Sequence, residues 1–590
     1  MLFEEVADFY EKIEATSSRL GMMEYLSQMF KKANKEEIKY LVYLTQGIIA
    51  PPFTGIEIGI AEKFDAEAIA RATGFSRSEV EKLYKKEGDL GLVAKKLCEM
   101  SKQKKVIKEK LTIDSVYETF YKIATTTGEG SQEKKISLLT YLFSNASPLE
   151  AKFIARFPIG KLRLGIGDPT ILEALSLAKL GDRSFREELE RAYNLCCDLG
   201  RVAEVFYKNG KEGIKNFKIQ LFSPIRPALA ERLPTPEEIL EKMNGRCAVE
   251  AKYDGLRMQI HISKKEKKVM IFSRRIENLT NMFPDIVEAC LKEVDAEEAI
   301  IEGEAIGYNE TTKEFFPFQE TIQRKRKHEV KEKAKEIPIY LFAFDLMYIN
   351  GKDYTKVPYK KRREGLEKII QNKGRIRIAE KIEVDNAKDM EKFFEEAIEK
   401  GLEGIVAKDL NAHYIAGARK FAWIKMKRSY RGELSDTLDL VILGYFLGRG
   451  LRAEFEFGGL LCGVYDKKRD MFKTIAKIGS GFTEEQMQNL KKTLDKIKVN
   501  HKPGRVDSNI TPDFWVEPRY VIVVAADEIT KSPTHTACKE ELGYGLALRF
   551  PRMVSEGIRS DKSPEDATTT QEVLEMFKQQ KKKSIEEKNV

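Results

Sequence analysis

The stretch Glu250-Ala-Lys252-Tyr-Asp-Gly-Leu-Arg257, near the middle of the chain, decides how the segments on both sides of it fold. Small and β-branched residues come before it, as in a buried strand. After it, apolar and polar residues alternate from Met258 to Ile262, as in a half-buried strand. Asp254-Gly255 is a turn signal, because Asp caps its own turn and Gly accepts a positive φ. The pattern therefore predicts that Lys252 lies where two strands meet.

Lys252 is a candidate nucleophile. Arg257 follows five residues later, and a second cation nearby disfavours the charged ammonium, which lowers the pKa of the lysine and frees a neutral amine for attack. The alternative, for a Lys-x-Asp-Gly taken alone, is a surface lysine beside a hairpin turn. The rest of the sequence has to decide between these two interpretations.

The length of 590 residues is too great for one core and predicts three or four domains. Hydrophobic residues make up 42% of the chain, but no apolar run reaches the roughly 18 residues that a spanning helix needs, so we expect no membrane partner. The N-terminus is acidic and amphipathic, unlike a signal peptide. We therefore expect a cytoplasmic or otherwise intracellular protein.

The net charge is compatible with a polyanionic partner, and the cysteine pattern argues against a disulfide-rich or zinc-ribbon protein. Lys and Arg number 102 against 93 Asp and Glu, and this net charge of +9 permits a polyanionic partner without demanding one. Seven cysteines are scattered without Cys-x-x-Cys pairs, so neither a disulfide framework nor a zinc ribbon is indicated. We expect these cysteines to be reduced and structural.

Residues 1–215 show apolar residues at helical spacing and no strand alternation, which predicts an all-α domain. The predicted helices are 21–33, 36–48, 79–98, 105–124, 133–143, 148–156, 169–180 and 184–208.

Two loops in this domain place small residues and free backbone N–H groups before a helix. They are Thr125-Thr-Thr-Gly-Glu-Gly-Ser131 and Gly160-Lys-Leu-Arg-Leu-Gly-Ile-Gly-Asp-Pro169, and Lys161 and Arg163 lie in the second. Such loops can bind phosphate groups at a helix N-terminus. The alternative is an ordinary helix cap in a loop that happens to be basic.

A proline-rich stretch, Phe222 to Pro236, marks a boundary, and residues 222–428 mix strands and helices as in an α+β domain. Its apolar strands contain charged residues, which cost several kcal/mol there unless they are paired or used. These segments are Ser273-Arg-Arg-Ile-Glu277, Glu302-Gly-Glu304, Phe344-Asp-Leu-Met-Tyr348, Glu403-Gly-Ile-Val-Ala-Lys408 and Trp423-Ile-Lys-Met-Lys427. Each of them, taken singly, could be a structural ion pair.

Residues 429–565 contain short apolar strands between Gly-rich turns, which predicts a small β-barrel such as the OB-fold domain. Residues 566–590 read as a C-terminal helix and a charged tail. Within that helix Gln571, Leu574 and Phe577 loosely match a sliding-clamp-binding motif. Only one aromatic stands where two are usual, so a plain terminal helix is favoured.

The charged segments, taken in order from Lys252 to Lys427, resemble the ordered motifs of the covalent nucleotidyltransferases, which are the polynucleotide ligases and mRNA capping enzymes. Asp436-Thr-Leu-Asp-Leu-Val-Ile-Leu-Gly-Tyr-Phe-Leu-Gly-Arg-Gly450, Leu548-Arg-Phe-Pro-Arg552 and Arg559-Ser-Asp-Lys562 narrow the resemblance. It is then closest to the ATP-dependent DNA ligases of the archaeal and eukaryotic replicative type. The helical region resembles their DNA-binding domain, so the resemblance covers nearly the whole chain.

The resemblance implies a multidomain fold in which an all-α DNA-binding domain precedes an α+β adenylation (nucleotidyltransferase) domain and a β-barrel OB-fold domain. It also implies ATP and Mg²⁺ or Mn²⁺ as cofactors, with nicked duplex DNA as the substrate. The lysine would accept AMP from ATP, pass it to the 5′-phosphate of the nick, and the 3′-hydroxyl would then displace it. The resemblance implies roles in DNA replication, repair, recombination and cell division. It also implies a monomer, which would be associated with the nucleoid if the protein is archaeal.

The resemblance also implies a role for each matching position. The catalytic residue is Lys252; the nucleotide-binding residues are Glu250, Arg257, Arg274, Glu304, Phe344, Arg419, Lys425 and Lys427; the metal ligands are Glu304 and Glu403; the pyrophosphate-orienting residues are Arg559, Asp561 and Lys562; and the DNA-binding residues are Thr127, Gly128, Gly130, Ser131, Lys161, Arg163 and Gly165.

Three alternatives share part of this pattern. An RNA ligase or capping enzyme has the central motifs, but the long helical domain favours an enzyme that encircles duplex DNA. An NAD-dependent DNA ligase is disfavoured because the four-cysteine zinc pattern is missing. A DNA-binding scaffold without activity is disfavoured because every motif residue is present.

Overall fold

The structure is a computed structural model and describes residues 1–101, 109–309, 314–316, 318–325, 330–427, 437–448, 456–555 and 557–586. Its elements fall into a helical part, a part with two sheets and a β part, in that order along the chain. The predicted multidomain fold class is thereby confirmed, whereas the exact domain boundaries stay predictions.

The first part contains twelve helices within the described residues. They are α1 Phe3–Ala15, α2 Arg19–Lys32, α3 Ile38–Gln46, α4 Glu62–Thr73, α5 Arg77–Glu87, α6 Leu90–Glu99, α7 Ile113–Thr125, α8 Ser131–Asn145, α9 Pro148–Arg156, α10 Asp168–Leu180, α11 Arg186–Asn194 and α12 Leu199–Lys215.

The helix predictions needed four corrections. The predicted helix 79–98 is two helices, because Gly88 ends α5 with a φ of 69° and the Asp89 side chain caps α6. The predicted helix 184–208 is likewise divided, and Asp198 caps α12. Helices α1 and α4 were not predicted; α4 buries mostly alanines, which give a weak periodic signal. Residues 105–108 of the predicted helix 105–124 lie outside the described residues, and residues 109–112 are not helical, because Thr112 caps α7 and the helix begins at Ile113.

The second part is an α+β unit. Its elements are β1 Leu229–Arg232, α13 Pro236–Lys242, β2 Cys247–Lys252, β3 Leu256–Ser263, β4 Lys268–Ser273, α14 Pro284–Glu293, β5 Glu298–Asn309, β6 Glu314–Phe315, α15 Phe318–Thr321, α16 Val330–Glu336, β7 Ile339–Ile349, β8 Lys352–Asp353, α17 Tyr359–Ile369, β9 Ile376–Ile378, β10 Lys381–Val384, α18 Ala387–Glu399, β11 Gly404–Lys408 and β12 Arg419–Lys427.

Two sheets of this unit meet at the lysine segment. One has the strand order β1-β12-β11-β2-β10, and the other has the order β4-β3-β5-β7-β8, with β6 and β9 added to β5 and β7. Lys252 ends β2 in the first sheet, and Leu256 begins β3 in the second, so the turn between them is not a hairpin. Gly255 is needed there for space and not for a positive φ, because a Cβ would lie 2.3 Å from the Ala305 carbonyl oxygen.

The third part is a β domain, which has three α-helices within its described residues. Its elements are β13 Leu438–Phe446, β14 Gly459–Asp466, β15 Met471–Ile478, α19 Glu484–Leu494, β16 Lys498–Val499, β17 Val506–Asp507, β18 Phe514–Val516, β19 Val521–Ala525, β20 Glu528–Ser532, α20 Lys539–Leu542, β21 Gly545–Arg549, β22 Arg552–Met553 and α21 Thr570–Glu586.

Its main sheet has the order β16-β18-β13-β14-β15-β17, and β19 joins β13 to β22. The apolar runs predicted as strands became β13, β14, β15 and β19. Parts of the predicted motif 436–450, at residues 436, 449 and 450, lie outside the described residues.

The C-terminal helix α21 belongs to the core of the β domain. Val573, Leu574 and Phe577 are buried in the same apolar cluster as the strands. Leu574 and Phe577, two of the three residues of the loose clamp motif, are therefore covered in this conformation. The packing agrees with the favoured interpretation of a plain terminal helix.

The three parts contact one another. Ile225 and Trp423 share the apolar cluster of the helical domain, and Gln259 holds the linker through both the N–H and the carbonyl of Ile225. The β domain contacts the helical domain through a 2.7 Å hydrogen bond from Thr170 to Asp470. The β domain also contacts the α+β unit, since Lys467 donates to the Gly417 carbonyl at 3.1 Å. The chain is therefore in a closed arrangement.

All seven cysteines are buried, and none of them is in a disulfide. Burial raises the pKa of the Cys197 thiol to about 11 and that of the Cys247 thiol to about 12. Within the part of the chain that the structure describes, no helix is both long and apolar enough to cross a membrane.

Candidate active site

A cleft of about 660 Å³ opens between the two sheets of the α+β unit and the β domain. Lys252, at the end of β2, lies in it together with most of the side chains predicted to bind a nucleotide. The predicted residues that line it are Glu250, Arg257, Arg274, Glu304, Phe344, Glu403, Lys425, Lys427, Arg559, Asp561 and Lys562. Distant parts of the sequence are thus brought to one place.

The Lys252 ammonium contacts the Glu403 carboxylate, and the other oxygen of Glu403 contacts Lys427. The Glu403 backbone N–H also donates to the Lys252 carbonyl at 3.0 Å, because β2 and β11 pair at this point. Burial lowers the pKa of Lys252; Arg274 and Arg257 act in the same direction, while Glu304 and Asp254 oppose them. The amine is therefore easier to deprotonate than a surface lysine.

The two acids predicted in β5 have different environments. Glu302 is fully buried and pairs with Arg257 at 2.9 Å, while Tyr414 donates to it at 2.7 Å. Glu304 lines the cleft, and burial raises its pKa to about 7, although Lys252 and Arg257 oppose that shift. Near neutral pH the Glu304 carboxyl group can therefore donate a hydrogen bond to a hydroxyl when it is protonated, or accept one from a hydroxyl when it is ionised.

Arg257 lines the cleft, but its guanidinium is already engaged. It donates to Glu302 and, at 2.7 Å, to the Ala228 carbonyl. It also lies 5.5 Å from the ring centroid of Phe344 and 5.4 Å from that of Trp423. These contacts make it a support for the aromatic wall and for the charge balance around Lys252.

Glu250 is buried beneath the cleft, and its carboxylate has three partners. Tyr359 donates to one oxygen at 2.5 Å and Arg363 donates to the same oxygen at 3.0 Å, while Lys408 pairs with the other oxygen at 2.7 Å. Tyr359 and Arg363 both belong to α17. This helix therefore fixes the orientation of the Glu250 carboxylate.

Phe344 and Trp423 form an aromatic wall, with ring centroids 5.9 Å apart in an edge-to-face arrangement. The Lys408 ammonium lies 4.8 Å from the Phe344 ring and 4.2 Å from the Trp423 ring. Burial lowers the pKa of Lys408, although Glu250 and Asp345 oppose that shift. An aromatic ring that lines the cleft can stack on a base, and the stacking role of Phe344 stays a prediction.

Arg274 and Lys425 also line the cleft, and together with Lys252 and Lys427 they make its inner surface cationic. Arg419 begins β12, but its side chain lies outside what the structure describes, so its role in nucleotide binding stays a prediction.

The segment Arg559 to Lys562 comes from the β domain and reaches the same cleft. Arg559 donates to Asp561 at 2.5 Å, and the Lys562 ammonium pairs with Asp439 on β13. The predicted pyrophosphate-orienting residues therefore face the same cavity as Lys252 in this closed arrangement.

The two loops predicted to bind phosphate differ in exposure. Thr127, Gly128 and Gly130 are exposed and Ser131 begins α8; the glycines have φ angles of 90° and 75°. The second loop is in contact with the β domain: Arg519 donates to the Gly160 carbonyl at 3.3 Å, and the Arg505 guanidinium lies where a Cβ on Gly167 would be.

The basic residues of the second loop are paired. Lys161 contacts Glu62 at 2.8 Å and Arg163 contacts Asp89 at 3.3 Å. Gly165 has a φ of 65°, which a glycine adopts without strain. The structure thus leaves the first loop open and covers part of the second.

Sequence reasoning missed Arg363, Tyr359 and Asp439. The first two lie in Tyr359-Lys-Lys-Arg-Arg363, which reads as a solvated helix face, although the spacing of four residues does put them on one side. Asp439 is a carboxylate inside an apolar strand, the same signal that identified Glu302 and Glu304. Within the described residues, no group of three or more His, Cys, Asp or Glu side chains is arranged to hold a metal ion by itself.

A cleft between a β domain and an α+β domain, with a lysine of lowered pKa inside it, is the arrangement expected of a covalent nucleotidyltransferase. Three family models match the chain: "DNA ligase N terminus" over residues 2–176, "ATP dependent DNA ligase domain" over 227–427 and "ATP dependent DNA ligase C terminal region" over 453–562. The chain belongs to the ATP-dependent DNA ligase family.

Relatives match the chain over its length. A probable DNA ligase of Dictyoglomus turgidum is 50% identical over 587 residues, which cover 100% of this chain and 99% of that protein. A DNA ligase of Saccharolobus solfataricus is 46% identical and covers 99% of each chain. Among solved structures, a mycobacterial DNA ligase D complexed with ATP and MES is 22% identical and covers 58% of this chain and 97% of that chain, with a TM-score of 0.33.

Proposed function

We propose that this ligase seals nicks in duplex DNA with Lys252 as the nucleophile. The observation that carries this proposal is the position of Lys252, whose pKa is lowered and whose amine lies in a cationic cleft between two domains. In the first step the neutral amine attacks the α-phosphorus of ATP. A nitrogen–phosphorus bond forms, the bond to the bridging oxygen breaks, and pyrophosphate leaves while the amine loses a proton to solvent.

The next two steps use the lysyl–AMP. An oxygen of the 5′-phosphate at the nick attacks the same phosphorus, which releases the lysine and leaves AMP on the DNA. The 3′-hydroxyl then attacks the 5′-phosphorus, and AMP leaves as the strand is sealed. Each step is a displacement at phosphorus, so positioning and charge stabilisation supply most of the catalysis.

The nucleotide would lie against the aromatic wall. Phe344 would stack on the adenine, and Glu250, held by α17 and Lys408, would read its edge. Glu304 would bind a ribose hydroxyl, since a carboxyl group with a pKa of about 7 can donate or accept there. Arg274, Lys425 and Lys427 would surround the phosphates, with Arg419 added from the position that the family motif gives it.

The residues present also fit a divalent cation. Mg²⁺ keeps several waters and is usually bound through one or two carboxylates and substrate phosphates, so a complete protein cage is not required. Glu403 and Glu304 are carboxylates that line the cleft beside Lys252. They would hold Mg²⁺ or Mn²⁺, which when bound neutralises charge on the phosphates.

The segment Arg559–Lys562 of the β domain would act in the first step. Arg559, Asp561 and Lys562 face the cleft and would orient the leaving pyrophosphate. The domain then has to move, because the nicked duplex needs the space that it occupies over the second loop of the helical domain.

The helical domain would bind the phosphates of nicked DNA through the loops Thr125–Ser131 and Gly160–Asp168. The whole protein would act as a monomer in replication, repair and recombination. Phosphate contacts of this kind position the duplex and are independent of its base sequence.

The proposal is tested by Lys252→Ala, compared with the unchanged chain in Mg²⁺ and α-labelled ATP. The unchanged chain should acquire a covalent label that survives denaturing electrophoresis, and the variant should acquire none, because no other group replaces the nucleophile. The variant should still seal a nick that already carries AMP. A labelled adduct on Lys252→Ala would show that the nucleophile is another residue.

A further inference from the structure

Asp439 is a carboxylate in an unexpected place. It lies on β13 between Leu438 and Leu440, which are fully buried in the core of the β domain, and its own side chain faces the cleft that holds Lys252. A nucleoside triphosphate carries several negative charges, and a carboxylate in its pocket repels it unless cations neutralise that carboxylate. The residue therefore needs an explanation beyond packing.

The partners of Asp439 are two of the residues predicted to orient pyrophosphate. One oxygen pairs with the Lys562 ammonium, and the other lies 3.6 Å from a guanidinium nitrogen of Arg559. Asp561 contacts Arg559 as well, at 2.5 Å from its Nε, so the guanidinium has carboxylates on two sides. The Asp439 side chain is only 10% exposed, which limits competition from water.

The backbone of Asp439 holds the other end of the same segment. Its N–H donates to the Thr568 hydroxyl at 3.0 Å, and its carbonyl accepts from the Thr568 N–H at 2.9 Å. Residues 559 to 568 are thus attached to Asp439 at both ends, by side chains at one and by backbone groups at the other. Because all these partners belong to the β domain, the unit moves as one body when that domain moves.

We propose that Asp439 is a positioning residue for the first step, and that it aims Arg559 and Lys562 at the leaving pyrophosphate without touching the nucleotide. The inference rests on the proposed role of the segment 559–562. A group that acts only through this segment affects the formation of lysyl–AMP, and its reversal by pyrophosphate, but not the sealing of a nick that already carries AMP. A purely structural ion pair would instead lower all of these rates together with the stability.

The test is Asp439→Asn in the full chain, which keeps the size of the side chain and the backbone bonds to Thr568 while it removes the charge. We expect the rate of lysyl–AMP formation from ATP to fall by about 100-fold, as for a small misplacement of reacting groups. Pyrophosphorolysis of preformed lysyl–AMP should fall by a similar factor, since it is the reverse of the same step. Sealing of a pre-adenylylated nick should not change, whatever the lost ion pair with Lys562 costs in melting temperature.

Two further variants serve as controls. Asp527→Asn removes a carboxylate that pairs with Arg552 at 2.9 Å on the same domain but does not line the cleft, and it should leave every step unchanged. Asp439→Glu keeps the charge for folding and moves the carboxylate by one methylene, so it should slow the first step alone even if the asparagine variant proves too unstable to measure.

Two outcomes would overturn the inference: an unchanged first step in both Asp439 variants, or an equal loss in all steps with a lowered melting temperature. The variant Arg559→Ala distinguishes a failure of the inference about Asp439 from a failure of the proposed function. If Arg559→Ala slows the first step and the Asp439 variants do not, only the role of Asp439 is wrong. If Arg559→Ala also leaves the first step unchanged, the pyrophosphate-orienting role of the segment is wrong as well.

Discussion

The Glu403 carboxylate lies between the ammonium groups of Lys252 and Lys427. We expect Glu403→Gln to lower the rate of lysyl–AMP formation by about 100-fold while the KM for ATP changes much less, because a group that acts on developing charge stabilises the transition state more than the bound substrate. Single-turnover labelling across a Mg²⁺ titration measures this. Unchanged rates at every Mg²⁺ concentration would leave Glu403 as an ion-pair partner only.

The pH dependence of the first step should report the pKa of Lys252. Only the neutral amine attacks, so the rate should rise with pH until the lysine is deprotonated. Arg274 lowers this pKa and Glu304 raises it. Arg274→Ala should therefore move the rising limb to higher pH, and Glu304→Gln should move it to lower pH. Single-turnover rates over a pH series decide this, and limbs that shift in the same direction would contradict the assignment.

Helix α17 connects the floor of the nucleotide cleft to the fold. Arg362 pairs with Asp345 at 2.7 Å, and both side chains are fully buried. Arg362→Ala should lower the free energy of unfolding by about 3 kcal/mol, because it leaves the buried Asp345 carboxylate with only the more distant Lys408 ammonium, at 3.8 Å, as a cationic partner. Lys361→Ala, which breaks an exposed pair with Glu364, should leave the free energy of unfolding nearly unchanged.

The two tryptophans allow this unfolding to be followed by domain. Trp423 lies in the α+β domain and Trp515 in the β domain, so fluorescence in a Trp515→Phe background reports on the domain that contains α17 and on its contact with the helical domain. Equal denaturation midpoints for the Arg362 and Lys361 variants would show that the buried pair contributes little.

The same helix shows what the sequence could and could not predict. Charges inside apolar strands are visible because a strand alternates with period two, so Glu302, Glu304 and Glu403 were identified. The arginines of α17 were not, since a charged helix reads as solvated and the partner of Arg363, Glu250, is 113 residues away. Period two also puts Glu302 and Glu304 on one face, so the sequence could not show that Glu302 is the one buried against Arg257 and Tyr414.

The order of the domains was predictable from composition and motifs, but their closed arrangement was not. Contacts such as Thr170 to Asp470 join residues 300 positions apart, and neither residue has a sequence signal that names the other. The loop Gly160–Asp168 was predicted to bind phosphate because of its glycines and basic residues. The β domain covers part of this loop, and that contact could not be predicted because it depends only on the tertiary structure.

The DNA-binding prediction is tested with the full chain. Replacing Lys161 and Arg163 by serine should weaken binding to nicked duplex and flatten its dependence on salt, by about one unit of log–log slope for each phosphate that the protein no longer neutralises. Lys208→Ser with Lys215→Ser is the matched control, because these basic residues also pair with carboxylates but lie on α12. Titrations at several salt concentrations measure both pairs, and equal slopes would refute the role of the loop.

The buried cysteines have a practical consequence for following the movement of the β domain. A thiol whose pKa is far above neutral is almost entirely protonated and sterically covered, so maleimide dyes react with it slowly. Cysteines introduced at Glu212, on the helical domain, and at Arg549, on the β domain, replace exposed side chains. The two could be labelled without first removing the native thiols. Energy transfer between the dyes would then show, in single molecules, whether ATP keeps the two domains together and nicked DNA separates them.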